Sequence, residues 1–443
     1  MTGLLKTDQG TGEAPVRVAD LVQAVVEGPI PLRVRAFDGS ETGDDGSGIV
    51  LDVRTPQGLQ YVVTAPGDLG LARAYLTDNL RVDGVHPGDP YPLFEVLRQV
   101  RTHRPPAGEI ARLARGLTRT FGTGFLRPPP PPPQEAPPRW RRTAHQLRAR
   151  AGRAQRAGEA IHHHYDVGNT FYEHVLGRSM TYTCAVFDSP GDSLEQAQAR
   201  KYELVAGKLA LRPGMRLLDV GCGWGGMVRH AAREHGVRAL GVTLSAEQAA
   251  WAQAAIEREG LSHLAEVRHL DYRDAPAEEF DAISSIGLTE HIGVRRYPAY
   301  FRFLRSRLRE GGRLLNHTIT RPHGRVGART EPFTDRYVFP DGELASPGRV
   351  VTEAHDAGFE VHHDENLRLH YAHTLAAWNR NLVEHWDACV AEVGEATAKV
   401  WGLYMAGSRL AFETNGLQLH QVLASKVGPH GETAFPLRPD WTP

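Results

Sequence analysis

Arg216-Leu-Leu-Asp-Val-Gly-Cys-Gly-Trp-Gly-Gly226 is the stretch on which the fold turns. Leu217 to Val220 is a short apolar run carrying one acid, Asp219, as a buried parallel strand allows. The glycines follow at once and stop the strand. Helical spacing resumes over about 227–235. Val237–Thr243 reads as a second strand, and Ser245 caps a helix over Ala246–Gly260. Further strands are expected near 265–270, 280–286 and 313–320, with a helix over about 297–309 ended by Gly311-Gly312. The residues from His373 onward read as helices. This alternation predicts an α/β fold, a doubly wound parallel sheet.

A glycine turn directly after a strand lets the backbone approach a ligand without Cβ clashes and sets that ligand at a helix N-terminus. Alone it is more often a plain tight turn. The spacing here is Asp219-x-Gly221-x-Gly223-x-Gly225-Gly226, with the acid two residues before the first glycine. A dinucleotide fold would show G-x-G-x-x-G and an acid at the end of the second strand to hold the ribose. The second strand ends instead in Thr243-Leu-Ser245. The early acid matches methyltransferases that bind S-adenosylmethionine, whose sulfonium is positive and which carries no pyrophosphate. That reading is preferred to a nicotinamide cofactor.

The chain has 443 residues, 41% hydrophobic and 23% charged, which suits a soluble globular protein and argues against global disorder. Its length suggests two or three domains. Three scattered cysteines, Cys184, Cys222 and Cys389, are too few for a disulfide framework and fit a reducing cytoplasm. There is no signal-peptide pattern at the N-terminus and no run of 18 apolar residues. The net charge of −1 is unevenly spread. From Arg98 to Arg156 there are fourteen arginines, no lysine and two acids, Glu109 and Glu135. That segment carries +12 and the remainder −13. Only five of the 51 basic residues are lysine, a bias that fits genome composition.

Pro128 to Pro133 is a run of six prolines, which reads as a semi-rigid spacer. Residues 1–127 are expected to form a small N-terminal accessory domain, 128–160 a Pro- and Arg-rich linker, and 161–443 the main domain with a helical C-terminal part. In the accessory domain Pro31–Phe37 alternates as a strand, with further strands at Ile49–Val53 and Leu59–Thr64. Leu69–Leu80 and Pro92–Val100 have helical spacing. No catalytic constellation occurs there.

A series of motifs in order adds to this reading. They are His164-Tyr-Asp-Val-Gly-Asn169, Tyr182-Thr-Cys-Ala185, Leu218–Gly226, Gly241-Val-Thr-Leu-Ser245 with Gln248, and Asp271-Tyr-Arg-Asp274. Ser285-Ile-Gly-Leu-Thr-Glu-His-Ile-Gly293, Asn316-His-Thr-Ile319, Tyr337-Val-Phe-Pro340 and His370-Tyr371 follow. Over about 160–425 the chain resembles the cyclopropane-fatty-acyl-phospholipid synthase family, which includes the mycolic acid cyclopropane synthases and makers of 10-methylene fatty acids. The N-terminal unit is similar to the accessory domain of longer members, here a lipid-handling domain.

The resemblance implies a class I S-adenosylmethionine-dependent methyltransferase, Rossmann-like. It implies methyl transfer to a cis double bond of a phospholipid acyl chain, through a carbocation that a bound bicarbonate deprotonates in a dry pocket. By motif match the catalytic set is Cys184, Glu290, His317 and Tyr371. His317 would donate to the bicarbonate, Glu290 would hold its hydroxyl proton, and Tyr371 would offer its phenol and π face. The cofactor-binding set is Tyr182, Thr183, Asp219, Gly221, Cys222, Gly223, Thr243, Leu244, Ser245, Gln248 and Tyr272. Read by themselves, Cys184 is more often a small buried hydrophobe, and Glu290 and His317 ordinary polar ends of a sheet. No metal is expected. His162-His163-His164 are adjacent and cannot all face one ion without strain, and His362-His363-Asp364 reads as surface. Ser193-Leu-Glu-Gln196 is a capping box opening a helix over Leu194–Leu209.

Three departures bear on the product: Tyr182-Thr-Cys for Tyr-Ser-Cys, Ala185-Val-Phe for Ala-Tyr-Phe, and Gly-Leu-Thr-Glu-His for Gly-Met-Phe-Glu-His. They favour a 10-methylene product over a cyclopropane, with a separate reductase as a partner to saturate it. The acid-free run from Arg139 to Arg156, with Trp140 and Leu147, suits an anionic membrane at the inner face, so peripheral association is expected. A solvated linker is the plain alternative, and nucleic acid is not the expected partner. Longer members of the family tend to form homodimers. The other functions left open are a methyltransferase acting on a small soluble substrate and a nonenzymatic lipid-binding protein.

Overall fold

The structure, a computed structural model, describes residues 16–138, 141, 168–189, 191–324, 330–433, 435–439 and 441. Trp140, Leu147, the basic segment apart from its part up to residue 138 and Arg141, and His162 to Val167 lie outside the described residues. The described chain forms two compact units, residues 16–85 with 92–133, and residues 86–91 with those from 134 onward.

The smaller unit is built on a four-stranded sheet in the order Glu41–Thr42, Arg33–Ala36, Val50–Val53, Leu80–Asp83. Its core includes Val18, Ala36, Leu59, Leu117 and Phe125. The strand expected over Leu59–Thr64 is instead part of a helix, Pro56–Thr64. Thr55 caps it by accepting from the Gly58 amide at 3.1 Å, and Pro56 occupies the first turn, where no amide donor is needed. The apolar run at Leu59–Val63 misled because its β-branched residues also suit a strand. The helix expected to reach Leu80 ends at Leu76, and Leu80 opens a strand.

The larger unit begins with residues read as spacer. Glu135 is buried, pairs with Arg336 and accepts from the Tyr337 hydroxyl at 3.0 Å. The Ala136 amide donates to the Arg336 carbonyl at 2.7 Å. Seven strands follow: β1 Arg216–Val220, β2 Arg238–Thr243, β3 Ala265–His269, β4 Phe280–Ile286, β5 Leu308–Thr320, β6 Phe359–Asn366 and β7 Gln418–Lys426. Their order is β6-β7-β5-β4-β1-β2-β3. Strands β1 to β5 are mutually parallel, and β7 runs antiparallel to both its neighbours. The helices used below are α1 Leu194–Leu209, α2 Gly226–His235, α3 Ala246–Arg258, α4 Tyr297–Arg307, α5 Pro347–Asp356, α6 Arg368–Glu384 and α7 Glu395–Glu413. Two apolar layers cover the sheet, one around Val205, Val228, Ala252 and Leu315, the other around Leu218, Val242, Phe301 and Leu314. This is the expected doubly wound α/β fold.

Three details differ from expectation. Gly311-Gly312 does not cap α4, which ends at Arg307 with Leu308 extended. The glycines lie inside β5, where the pairing with β4 jumps from Phe280–Leu308 to Ala282–Arg313, so they form a bulge. The C-terminal region is not all helix, since Gln418–Lys426 is an internal strand of the sheet, next to its edge. Its polar Gln418, His420 and Gln421 concealed it, yet His420 is bonded to Asp364 at 2.8 Å and the fully buried Gln421 to His317 and Lys208. Of His362-His363-Asp364, expected at the surface, Asp364 is exposed but both histidines are half-buried in the edge strand β6. The His362 Nε2 meets Ser425 Oγ at 2.5 Å and its ring stacks on Phe435 at 3.8 Å.

Candidate active site

The site forms at the carboxyl ends of β1, β4 and β5, where parallel strands leave a crevice. Gly221, Gly223 and Gly225 have φ of +78°, +54° and +73°, a left-handed conformation that side chains resist. The loop turns onto β2, with the Gly221 and Cys222 amides both donating to the Val242 carbonyl, at 2.9 and 3.1 Å. At Gly241 of β2 a Cβ would stand 2.8 Å from both Cys222 Sγ and Val228 Cγ2, so this approach needs glycine.

A cavity opens beside the loop. Tyr182, Thr183, Asp219, Gly221, Cys222, Gly223 and Gln248 from the expected cofactor set line it, together with Lys201, Trp224, Ile286 and Gly287. Thr243, Leu244, Ser245 and Tyr272 are not on its lining. Thr243 and Ser245 shape it indirectly. The Thr243 hydroxyl donates to Gln248 Oε1 at 2.9 Å, and Ser245 Oγ accepts from the Gln248 amide at 3.2 Å, capping α3 as expected. Leu244 offers its carbonyl to His269 at 3.2 Å. Tyr272 packs edge-on to Tyr300, 5.3 Å away.

Asp219 is almost fully buried, and the Ser284 hydroxyl donates to it at 2.6 Å. Burial pushes its pKa up to about 6, with Ser284 and the Lys201 charge opposing the rise. A carboxylate held dry beside a glycine cradle fits a positively charged ligand such as S-adenosylmethionine.

The four expected catalytic residues surround the ends of β5 and β7. Gly287 donates its amide to the His317 carbonyl at 2.9 Å, tying the cavity wall to that strand. Glu290 Oε1 accepts from the Ile319 amide at 2.7 Å. Cys184 Sγ donates to the Leu367 carbonyl at 3.8 Å and to its neighbour Ala185 at 3.2 Å. Tyr371, one helical turn past Leu367, donates its amide to the same carbonyl at 3.3 Å. Its ring stacks on Phe412 at 4.6 Å. Leu367 in turn donates to Leu419 of β7, the residue paired with Ile319 of β5. Cys184 and Tyr371 thus meet at the Leu367 carbonyl, while β5 carries both His317 and the Ile319 amide that binds Glu290.

The protonation states follow from their surroundings. Burial pushes the Cys184 thiol far up, so it remains S–H. Burial pushes Glu290 up to about 7, and the Ile319 amide that it accepts offsets this only in part. Glu290 Oε2 is buried with no hydrogen-bond partner. His317 is held well below its ordinary pKa by burial and by the charges of Lys201 and Lys208, so it is neutral. Its tautomer can be assigned from a relay. Lys208, which is paired with Glu365, can only donate, and it donates to Gln421 Oε1 at 2.7 Å. The amide nitrogen of Gln421 must then face His317 Nδ1, 3.1 Å away. Nδ1 accepts, so the proton sits on Nε2, which is buried with no partner. A buried donor at His317 and a buried oxygen at Glu290 without partners fit a small bound oxyanion such as bicarbonate.

Sequence reasoning missed Lys201, Lys208 and Gln421, which contribute to this arrangement from α1 and β7. It also missed an aromatic cluster around Tyr182, whose ring lies 5.2 Å from Trp378, 5.7 Å from Trp401 and 5.9 Å from Tyr172. Such faces favour a cation in a dry site. Composition offered one signal, the scarcity of lysine in an arginine-rich chain. Apart from the site, Glu203, His230 and His235 converge between α1 and α2, with His230 Nε2 2.7 Å from Glu203 Oε1. The histidine triplet at 162–164 lies outside the described residues.

Comparison with known proteins accords with this geometry. Residues 153–422 match the family model described as mycolic acid cyclopropane synthetase. The chain is similar to a "probable fatty acid methyltransferase" of Mycobacterium tuberculosis, 60% identical over 416 residues, which span 94% of this chain and 96% of that one. It is 34% identical over 268 residues to the cyclopropane-fatty-acyl-phospholipid synthase of Escherichia coli K12, covering 60% of this chain and 68% of that one. A solved mycolic acid cyclopropane synthase, complexed with SAH and CTAB, superposes with a TM-score of 0.57 at 32% identity, over 61% of this chain and 98% of that chain.

Proposed function

Since the chain belongs to the mycolic acid cyclopropane synthetase family and is an S-adenosylmethionine-dependent methyltransferase, we propose that it methylates the cis double bond of an unsaturated acyl chain in a phospholipid. The observations that carry this reading are two buried unpartnered groups, His317 Nε2–H and Glu290 Oε2, and the separate cavity lined by Asp219 and the glycine loop. An alkene is a weak nucleophile, so its methylation needs a strong electrophile, which S-adenosylmethionine supplies. Transfer of the methyl group forms a carbon–carbon bond, leaves a neutral sulfide and places a cation on the acyl chain. Loss of a proton from the new methyl group closes a cyclopropane. A hydride shift before proton loss leaves an exocyclic methylene.

Bicarbonate, bound at Cys184, Glu290, His317 and Tyr371, would supply the base for that proton. The chain's own part is to orient and to keep the site dry. His317 donates through Nε2, Glu290 holds or releases a proton at Oε2, and the Tyr182 cluster faces the cation. Asp219, Gly221, Cys222, Gly223 and Gln248, with Tyr182 and Thr183, would hold the cofactor. The product we favour is the 10-methylene acid, because Ala185-Val-Phe and Leu288-Thr289 are less aromatic than the commoner motifs. A separate reductase would then saturate it.

Among the described residues no helix is long and apolar enough to cross a membrane. Access to phospholipid is assigned to the basic segment 139–156, docked on an anionic membrane at its inner face, with residues 1–127 handling lipid. Binding to vesicles should require anionic lipid and weaken with salt; equal binding to neutral vesicles would remove the docking role. For the reaction, the protein is expressed in cells containing oleoyl lipid and the acyl chains are analysed by mass spectrometry. A chain one carbon heavier is expected, and its fragmentation separates methylene from ring. No mass gain, with cofactor and anionic vesicles supplied to the purified protein, would defeat the proposal.

A further inference from the structure

Lys201 has been given no ligand so far, yet it is fully buried on α1 and lines the cavity. Its ammonium donates to Thr183 Oγ1 at 3.0 Å and lies over the Tyr202 ring, 4.1 Å from the centroid. Among the described residues no carboxylate lies within ion-pair distance of it. Burial pushes the Lys201 pKa down to about 7, so its charge is kept only where an anion supports it; Asp219 raises it in part, and that carboxylate is already bonded by Ser284. A buried cation facing only a hydroxyl and a ring is costly unless an anion completes it. Lys201 lines the cofactor cavity, and its charge also acts on Cys184 and His317. The composition sharpens the point. Five of 51 basic residues are lysine, and Lys201, Lys208 and Lys399 are buried. Lysine differs from arginine there in offering a compact ammonium in place of a planar fork.

We propose that Lys201 is the cation that receives a carboxylate-type oxyanion in this cavity. The oxyanion has two sources, the carboxylate of the cofactor's methionine part and bicarbonate. Only the bicarbonate arm rests on the function proposed above. Placing an ammonium where a sulfonium must also bind is reasonable only if that anion is present, since the two cations would otherwise repel.

The test compares wild type with Lys201→Met, which keeps volume, and Lys201→Gln, which keeps a donor toward Thr183. Exchanging a buried charge for an apolar chain commonly leaves folding intact, and the glutamine variant separates lost charge from lost packing. In the first arm, calorimetry measures binding of S-adenosylhomocysteine against methylthioadenosine, which lacks the amino-acid end. In the second, bicarbonate is titrated into the protein–S-adenosylhomocysteine complex and the melting temperature is followed. A charge-assisted contact predicts that one arm loses about 10- to 100-fold in the variants. Loss in the first arm identifies the methionine carboxylate, and loss in the second identifies bicarbonate. Both arms within about threefold of wild type would overturn the proposal. If wild type binds S-adenosylhomocysteine but methylates no lipid, the proposed function falls while the first arm still decides the role of Lys201.

Discussion

Replacing Gln421 by glutamate should invert the proton on His317, and the effect can be followed quantitatively. In the wild type Lys208 takes the amide oxygen of Gln421, so the amide nitrogen donates to His317 Nδ1 and the imidazole proton is left on Nε2. A carboxylate at 421 can still accept from Lys208, but it can only accept from His317. The proton must move to Nδ1, and Nε2 becomes a lone pair facing the oxyanion. Removing one preorganised donor from such a site costs about 3–4 kcal/mol, or about 10²–10³ in rate. The new carboxylate also raises the pKa of His317, which burial holds far down in the wild type. Lowering the pH should then add a second proton, restore Nε2–H and recover part of the activity. The wild-type imidazole has no such acid-recovered phase. The assay is methyl transfer to unsaturated acyl chains in anionic vesicles over a pH series, with ¹⁵N NMR of His317 reporting which nitrogen is protonated. The reasoning is refuted if Gln421→Glu keeps its activity within about threefold at pH 8, or if NMR finds the proton still on Nε2 alone.

Glu290→Gln should raise stability near pH 7 while abolishing most transfer. The folded pKa of Glu290 is about 7 against an ordinary 4.5, so the native state binds more protons than the unfolded chain across that window, and its stability falls as pH rises through it. The shift corresponds to roughly 3 kcal/mol, so the gain in melting temperature should vanish near pH 4; an equal gain at both pH values would contradict it. Gly241→Ala should cost about 1–3 kcal/mol and weaken S-adenosylhomocysteine binding, because its Cβ would meet Cys222 and Val228 at 2.8 Å; calorimetry and a thermal melt check both. Ser193→Ala removes the cap that accepts from the Gln196 amide at 3.2 Å. It should cost about 1 kcal/mol of stability with little change in rate, read by denaturant titration alongside the transfer assay.

The sequence by itself determined the parts of this protein whose physics is local. The glycines after Leu217–Val220 marked a tight turn open to a ligand, Ser245 and Ser193 were legible as helix caps, and the alternation of strand and helix implied the parallel sheet. Motifs in order brought Cys184, Glu290, His317 and Tyr371 to notice. Where local signals conflicted, reading failed: Leu59–Thr64 has strand-forming residues, but Thr55 and Pro56 start a helix. Only the tertiary structure decided how the site is charged. Gln421 lies 104 residues from His317 and 213 from Lys208. Sheet pairing between β5 and β7 closes the first of those gaps, and α1 packed on the sheet closes the second. The tautomer of His317, the protonation of Glu290 and the isolation of the Lys201 ammonium arise from removing water around groups distant in the chain. Sequence spacing carries no record of that desolvation.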